Sequence, residues 1–182
     1  MPVVDFTTLP SDARVWIFAS DRPLAGSDAN QLLDAVDQFL DQWKAHGVPL
    51  RCAREWRDDR FLAIGVDPTA EQASGCSIDG LFRGLRQLES ALATVLVGGG
   101  RVFYRDASGA PQVASRKGAQ ALFETGQLSG DTTVFDTSVT DAASYRGRFE
   151  QPARDTWVAS LAPQSSQSSS REATKSSSAR NG

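Results

Sequence analysis

The stretch Leu50-Arg51-Cys52-Ala53-Arg54-Glu55-Trp56-Arg57-Asp58-Asp59-Arg60-Phe61-Leu62-Ala63-Ile64-Gly65-Val66 decides how this chain folds. Leu50, Cys52 and Trp56 fall on one side of an extended run, because alternate residues of a strand share a face. Asp58-Asp59 supplies turn chemistry, and Phe61 to Val66 is a short, unbroken apolar strand. The two runs read as a β-hairpin, and Asp67-Pro68 closes its second strand.

Working outward toward the N-terminus, apolar residues recur at Leu32, Leu33, Val36, Phe39, Leu40 and Trp43 with Asp34, Asp37, Asp41 and Lys44 on other faces. This is the 3.6-residue period of an amphipathic helix, capped by Ser27 or Asp28. His46-Gly47 and then Pro49 are expected to end it, with Gly47 in the left-handed position. Before that helix, Ala13 to Ser20 is rich in β-branched and aromatic residues and reads as a strand. Outward in the other direction, Gln72-Ala73-Ser74-Gly75-Cys76-Ser77-Ile78-Asp79 leads into a second helix with apolar face Ile78, Leu81, Phe82, Leu85, Leu88 and Leu92. Ser77 is its expected N-cap and Asp79 suits its first turn. Gly98-Gly99-Gly100 breaks the chain before a strand at Arg101–Arg105.

The order strand, helix, strand, strand, helix, strand predicts an α+β fold with a ferredoxin-like β-α-β-β-α-β core over residues 1–100, the strand at 101–105 being shared with the C-terminal unit. Residues 101–163 then read as a small C-terminal β-β-α-β extension packed on that core. It comprises the first strand, a turn at Asp106–Gly109, a strand near Gln112–Ala114, a short helix with Ala121, Leu122 and Phe123, and Asp131–Phe135. Tyr145, Phe149 and the segment Pro152–Leu161 return to pack on it. From Gln164 the chain is Ser-rich with no aliphatic residue larger than Ala, so residues 164–182 are expected to be a disordered tail.

The 182 residues suit one domain with a small appendage, and a hydrophobic share of 40% suffices for a core. The net charge of -3, with +2 of it in the tail and -5 in the body, argues against nucleic acid as a partner. No apolar run approaches the roughly 20 residues of a membrane span, so no membrane insertion is expected. The N-terminus lacks a basic start with an apolar core, and Cys52 and Cys76 have 23 residues between them, with neither a CxxC pair nor a disulfide framework. A soluble, cytoplasmic protein with reduced thiols is expected, with no cofactor and no metal site.

One segment carries chemistry. Ser74, Gly75, Cys76, Ser77 and Asp79 place a thiol and two hydroxyls at a helix start, where unpaired N–H groups attract anions and favour a thiolate. Cys76 is thus the candidate catalytic residue and the whole loop a candidate anion or ligand site, or else Cys76 is a small residue fitted beneath a helix start. His46, the sole histidine, reads as a helix C-terminal cap or as a catalytic partner. In the expected packing the end of the first helix and the start of the second lie at opposite ends of the sheet, which separates it from Cys76. Asp58-Asp59, Asp67 and Glu71 have the spacing of turns and strand ends. Arg51, Arg54, Arg57 and Arg60 alternate between faces and build no single basic patch. Trp16, Trp43, Trp56 and Trp157 all lie on apolar sides and are expected in the core.

With the Val15 strand, the QWKAHG helix end, the QASGCSID loop and the DTWVASL segment in view, residues 5–161 resemble an uncharacterised bacterial family that carries the automatic label "ABC transporter ATPase". That label implies ATP hydrolysis. A P-loop needs glycines followed by Lys-Ser/Thr, and neither Gly98-Gly99-Gly100-Arg101 nor Gly80-Leu81-Phe82-Arg83-Gly84 supplies them. Residues 102–136 are similar to GYF_2-type modules through Leu122, Gly126, Asp131, Thr132, Val134 and Phe135. That likeness implies an interaction unit and a protein partner held by residues 102–136. The reading of function is a non-catalytic binding or interaction protein; the alternative is a thiol- or anion-binding site at Ser74–Asp79.

Because the tail offers no apolar surface, a chain ending at Pro163 is expected to keep the thermal midpoint of the full chain. Scanning fluorimetry of the two forms checks this, and a drop of more than a few degrees would mean that the tail is docked.

Overall fold

A computed structural model of the protein describes residues 3–69 and 73–163. Glu71, Gln72 and the Ser-rich residues 164–182 lie outside the described residues. The fold is α+β, built around the hairpin of β4 (Cys52–Arg57) and β5 (Phe61–Val66), with β1 (Arg14–Ala19) on the other side of β5. Both pairings are antiparallel: Trp56 faces Leu62 in one and Phe18 faces Leu62 in the other. Asp58 and Asp59 both take positive φ, 55° and 50°, in a three-residue loop that Arg60 N closes by donating to Arg57 O at 3.0 Å.

One face of this sheet is covered by α1 (Ser27–Asp41) and α2 (Gly75–Leu92). Leu32, Val36 and Leu40 of α1 and Leu81, Leu85 and Leu92 of α2 pack with Phe18, Cys52, Leu62, Ile64 and Val66 in one buried cluster. The α1 stripe is the one its spacing predicts, but the helix stops at Asp41, five residues before His46. Lys44–Ala45 (β2) and Val48–Pro49 (β3) then form a small hairpin with His46 and Gly47 at its tip, at φ 51° and 84°. His46-Gly47 is thus a two-residue β-turn rather than a helix terminator, since both positions accept the left-handed backbone that such turns require.

The other face meets a second sheet, ordered β7 (Pro111–Ser115), β6 (Arg101–Arg105), β8 (Thr133–Phe135), β9 (Glu150–Pro152), all antiparallel. Here the structure corrects the expected core. The strand at Arg101–Arg105, assigned to complete a β-α-β-β-α-β sheet, pairs with β7 and β8 and makes no pairing with β1. Its alternation explains why. Phe103 enters a cluster with Phe61 and Ala63 of β5, while Val102 enters a third cluster with Ala119 of α3 (Arg116–Glu124), Leu128, Val134 and Val158. Both faces of β6 are buried only if it lies in the second sheet. Four layers result: α1 and α2, the first sheet, the second sheet, then α3 with the 3-10 turn Trp157–Leu161.

The sheet-to-sheet layer is aromatic. Phe61 packs against Phe135 at 4.4 Å between ring centroids, Phe149 at 5.3 Å and Phe103 at 5.4 Å. A helix that the sequence pattern did not disclose, α4 (Ala142–Arg148), closes one side with Ala142 and Tyr145, capped by Asp141, whose carboxylate accepts from Ser144 N at 2.8 Å. Gly65 makes room for the N-terminal segment, because a Cβ there would stand 2.3 Å from Leu9 Cδ1. Tyr145 donates to Glu55 Oε2 at 2.6 Å, and burial together with that carboxylate pushes the phenol pKa up.

Phe61→Ala is expected to destabilise the protein by about 3–5 kcal/mol through the cavity left among three phenylalanines. Urea unfolding measures it, and a loss below about 1 kcal/mol would show that the two sheets are not held together there.

Candidate functional site

The loop singled out by sequence is a helix cap. Ser74, not Ser77, is the N-cap of α2, and its Oγ accepts from Ser77 N at 3.3 Å. Ser77 Oγ donates back to Ser74 O at 2.8 Å, so both hydroxyls close the cap. The helix therefore starts at Gly75, three residues earlier than Ser77 as cap implies, and Asp79 lies beyond the first turn. Ile78 N donates to Ser74 O at 3.0 Å inside the helix, and Asp79 and Gly80 follow within it. The amides of residues 78–80 are thus helical, not open to a ligand. Cys76 is exposed at the second helical position, and Gly75 and Asp79 are exposed beside it.

The expected separation of the two helix ends is corrected. Trp43 Nε1, just after α1, donates to Ser77 O at 3.0 Å, so α1 finishes where α2 begins. The helices run antiparallel. The residue set across the start of α2 is Trp43, while His46 sits exposed on the β2–β3 tip. Cys52, the other thiol, is fully buried; desolvation and then the nearby Asp41 carboxylate push it up to about 12.

The remaining candidates have structural partners. Asp67 is buried, and it accepts from Thr69 N at 2.9 Å and Thr69 Oγ1 at 2.6 Å and pairs with Arg51. The Thr69 hydroxyl and amide, with Arg51, hold its carboxyl below the usual range. Among the described residues no group of three or more His, Cys, Asp or Glu is placed to hold a metal ion. The arginines of the hairpin part company as their spacing implies: Arg51 to Asp67, Arg54 to both oxygens of Asp37 at 2.6 Å, Arg57 to Glu150, Arg60 to Ser20 O at 3.0 Å. The apolar residues of 102–136 pack inward on both faces of the second sheet.

What the sequence reading missed is the outer edge of β1. Val15 N donates away from β5, to Thr140 O at 2.8 Å, and Ala142 N donates to Ala13 O at 2.9 Å, forming a single antiparallel bridge between Arg14 and Asp141. Backbone groups alternate in direction along an antiparallel strand, so Ile17 and Ala19 also present N–H and C=O on that side. Ser20 N, one residue on, donates inward to Arg60 O, as the alternation requires. The residues preceding Thr140, which run toward Ile17, make no backbone bond to β1, and no other described residue pairs with Ile17 or Ala19 there. A cavity of about 360 Å³ opens against Val15–Phe18, walled by Phe82 and Leu96–Gly99 on one flank and Thr137–Thr140 on the other. The hint in the sequence is the glycine run after Val97, of which Gly98 and Gly99 line that flank without side chains.

Comparison with protein-family models, with curated proteins and with solved structures finds no match. No helix among the described residues is long and apolar enough to cross a membrane.

A thiol reagent at about pH 8 is expected to titrate Cys76 in the folded chain and Cys52 only after unfolding, since burial withholds both access and ionisation. Ser74→Ala should cost about 1 kcal/mol for the lost cap, read by urea unfolding. Rapid labelling of both thiols would contradict the burial of Cys52.

Proposed function

We propose that this protein is a non-catalytic binding protein whose ligand is another polypeptide, bound at the outer edge of β1. The observation that carries the reading is the unpaired outer backbone of Ile17, which lines the groove, and of Ala19 just past it, where the pairing at Arg14–Asp141 stops. A half-buried strand edge without protein partners leaves its backbone groups to water, and a bound polypeptide replaces that water with hydrogen bonds of its own. The groove also offers apolar contact through Trp16, Phe82, Leu96 and Val139. The cap at Ser74–Ser77 supports no comparable reading, because its hydroxyls and the Ser77 amide already bond one another.

Selection of short peptides against the full chain, followed by two obstructing substitutions, tests this. Gly99 has open space where a side chain would project and lines the groove, so Gly99→Trp fills it. Gly84 is equally open but lies in the separate cleft of about 400 Å³ between α1 and α2, so Gly84→Trp is the control. Selected peptides are expected to lose at least tenfold in affinity with Gly99→Trp and to be unaffected by Gly84→Trp, with both variants keeping the parent thermal midpoint. The reverse pattern would move the binding surface to the helix layer and overturn the proposal.

A further inference from the structure

Resting on that reading, we infer that the ligand binds as one extended, uncharged strand that lengthens the first sheet beside β1. The first argument is register. Val15 C=O, Ile17 N–H, Ile17 C=O and Ala19 N–H point to the outer side of β1, repeating every two residues, with Val15 and Ile17 lining the groove and Ala19 following them. Only a backbone with the same two-residue repeat, about 6–7 Å, meets all of them, and a helical ligand does not. The second argument is continuity. Thr140 and Ala142 already bond to this edge as an antiparallel strand does, and the vacant positions continue the same track.

Free backbone groups decide between occupants. Another copy of this chain would bring an edge whose Val15 N–H and Ala13 C=O are already bonded to its own Thr140 and Ala142, so it has few free backbone groups to offer in return. A free strand offers all of its own. The lining decides the chemistry. None of the thirteen residues around the cavity is charged. Charge appears only at the ends: the Arg14 guanidinium stacks on Trp16 at 4.6 Å, and Asp21 stands 3.7 Å from Arg101 while accepting from Thr94 Oγ1 at 2.6 Å. A carboxylate or ammonium in the middle of the ligand would be desolvated without a partner, so β-branched, aromatic and hydroxyl residues are the ones that fit.

The test uses the full chain and fluorescein-labelled hexapeptides of Val, Ile, Thr, Tyr and Ser, with a binder then resynthesised in two forms, N-methylated at odd or at even residues. Methylation of the amides that face β1 should weaken binding at least tenfold, and methylation of the alternate set should leave it within about twofold. Equal effects in the two forms would overturn strand addition while leaving groove binding, as read by Gly99→Trp, intact. No binding by any hexapeptide at millimolar concentration would overturn both. On the protein side, Ile17→Pro removes the outward N–H at a position where an edge strand tolerates proline, and Ile17→Val keeps it. Loss with Pro and retention with Val is expected, provided that both keep the thermal midpoint; the methylated peptides decide the matter if Ile17→Pro unfolds. A concentration-dependent dimer in sedimentation that Gly99→Trp abolishes would assign the edge to a second copy and overturn the single-strand ligand.

Discussion

Everything in this fold depends on β5 being buried on both faces. Leu62, Ile64 and Val66 point to the helix layer, Phe61 and Ala63 to the second sheet, and none of these five exceeds 2% exposure. A strand of that kind needs a complete covering on each side, because its pleat sends alternate residues to opposite faces. α1 and α2 supply one covering. The other is the second sheet, and the phenylalanines of β6, β8 and the α4–β9 junction provide it around Phe61. The helices therefore cannot be docked, nor the second sheet assembled, independently of this strand.

Polar chemistry at the seam follows from the same arrangement. Residues of β4 that share the inner face, Glu55 and Arg57, emerge at the rim between the sheets and have to be neutralised there. Glu55 accepts from Tyr145, Arg57 pairs with Glu150, and Glu150 also accepts from Arg105 Nε at 2.9 Å, while Arg105 reaches Asp58 at 3.1 Å. Arg57 and Arg105 lie over Phe149 and Phe135 at 5.2 and 4.7 Å, so each guanidinium is stacked as well as paired. The network joins the turn of the first hairpin to the second sheet, and it fixes the sheets' relative position where the aromatic layer ends.

The parts of the structure that local chemistry specifies were legible in the sequence. The β4–β5 hairpin, β1 and the apolar stripes of both long helices follow from period and turn residues alone. The errors lie where two local solutions were chemically equivalent. Ser74 and Ser77 are both good caps, and the sequence does not say which one the preceding chain can reach. His46-Gly47 suits a helix end or a hairpin tip, and Trp43, drawn to Ser77 O, settles it for the hairpin. β6 is a strand in either sheet, and only the demand of Phe61 for a cover places it in the second. α4 went unread because Ala142-Ala143-Ser144-Tyr145-Arg146-Gly147-Arg148 is short and contains a glycine, which gives periodicity little to act on. The β1 edge was invisible for a deeper reason: alternation reveals which face of a strand is buried but carries no information about which edge is paired.

That edge is handled differently from the others. The outer side of β4 is met by the N-terminal segment at Cys52, with Val4 N donating to Cys52 O at 2.9 Å and Val3 bridging Cys52, and beyond that point the strand carries the charges of Arg54, Glu55 and Arg57. The end strands of the second sheet carry Pro111 and Pro152, and proline is a common way of stopping a sheet from growing. β1 has neither a proline nor, beyond Arg14, a charge, and its apolar run continues up to Ser20. An edge this apolar would recruit other sheets if it lay open. Phe82 with Leu96–Gly99 and Thr137–Thr140 line this edge in place of proline or charge. Such flanking leaves the backbone groups of Ile17 and Ala19 without a protein partner among the described residues, and that is the physical basis for proposing a ligand at this strand rather than at the exposed thiol of Cys76.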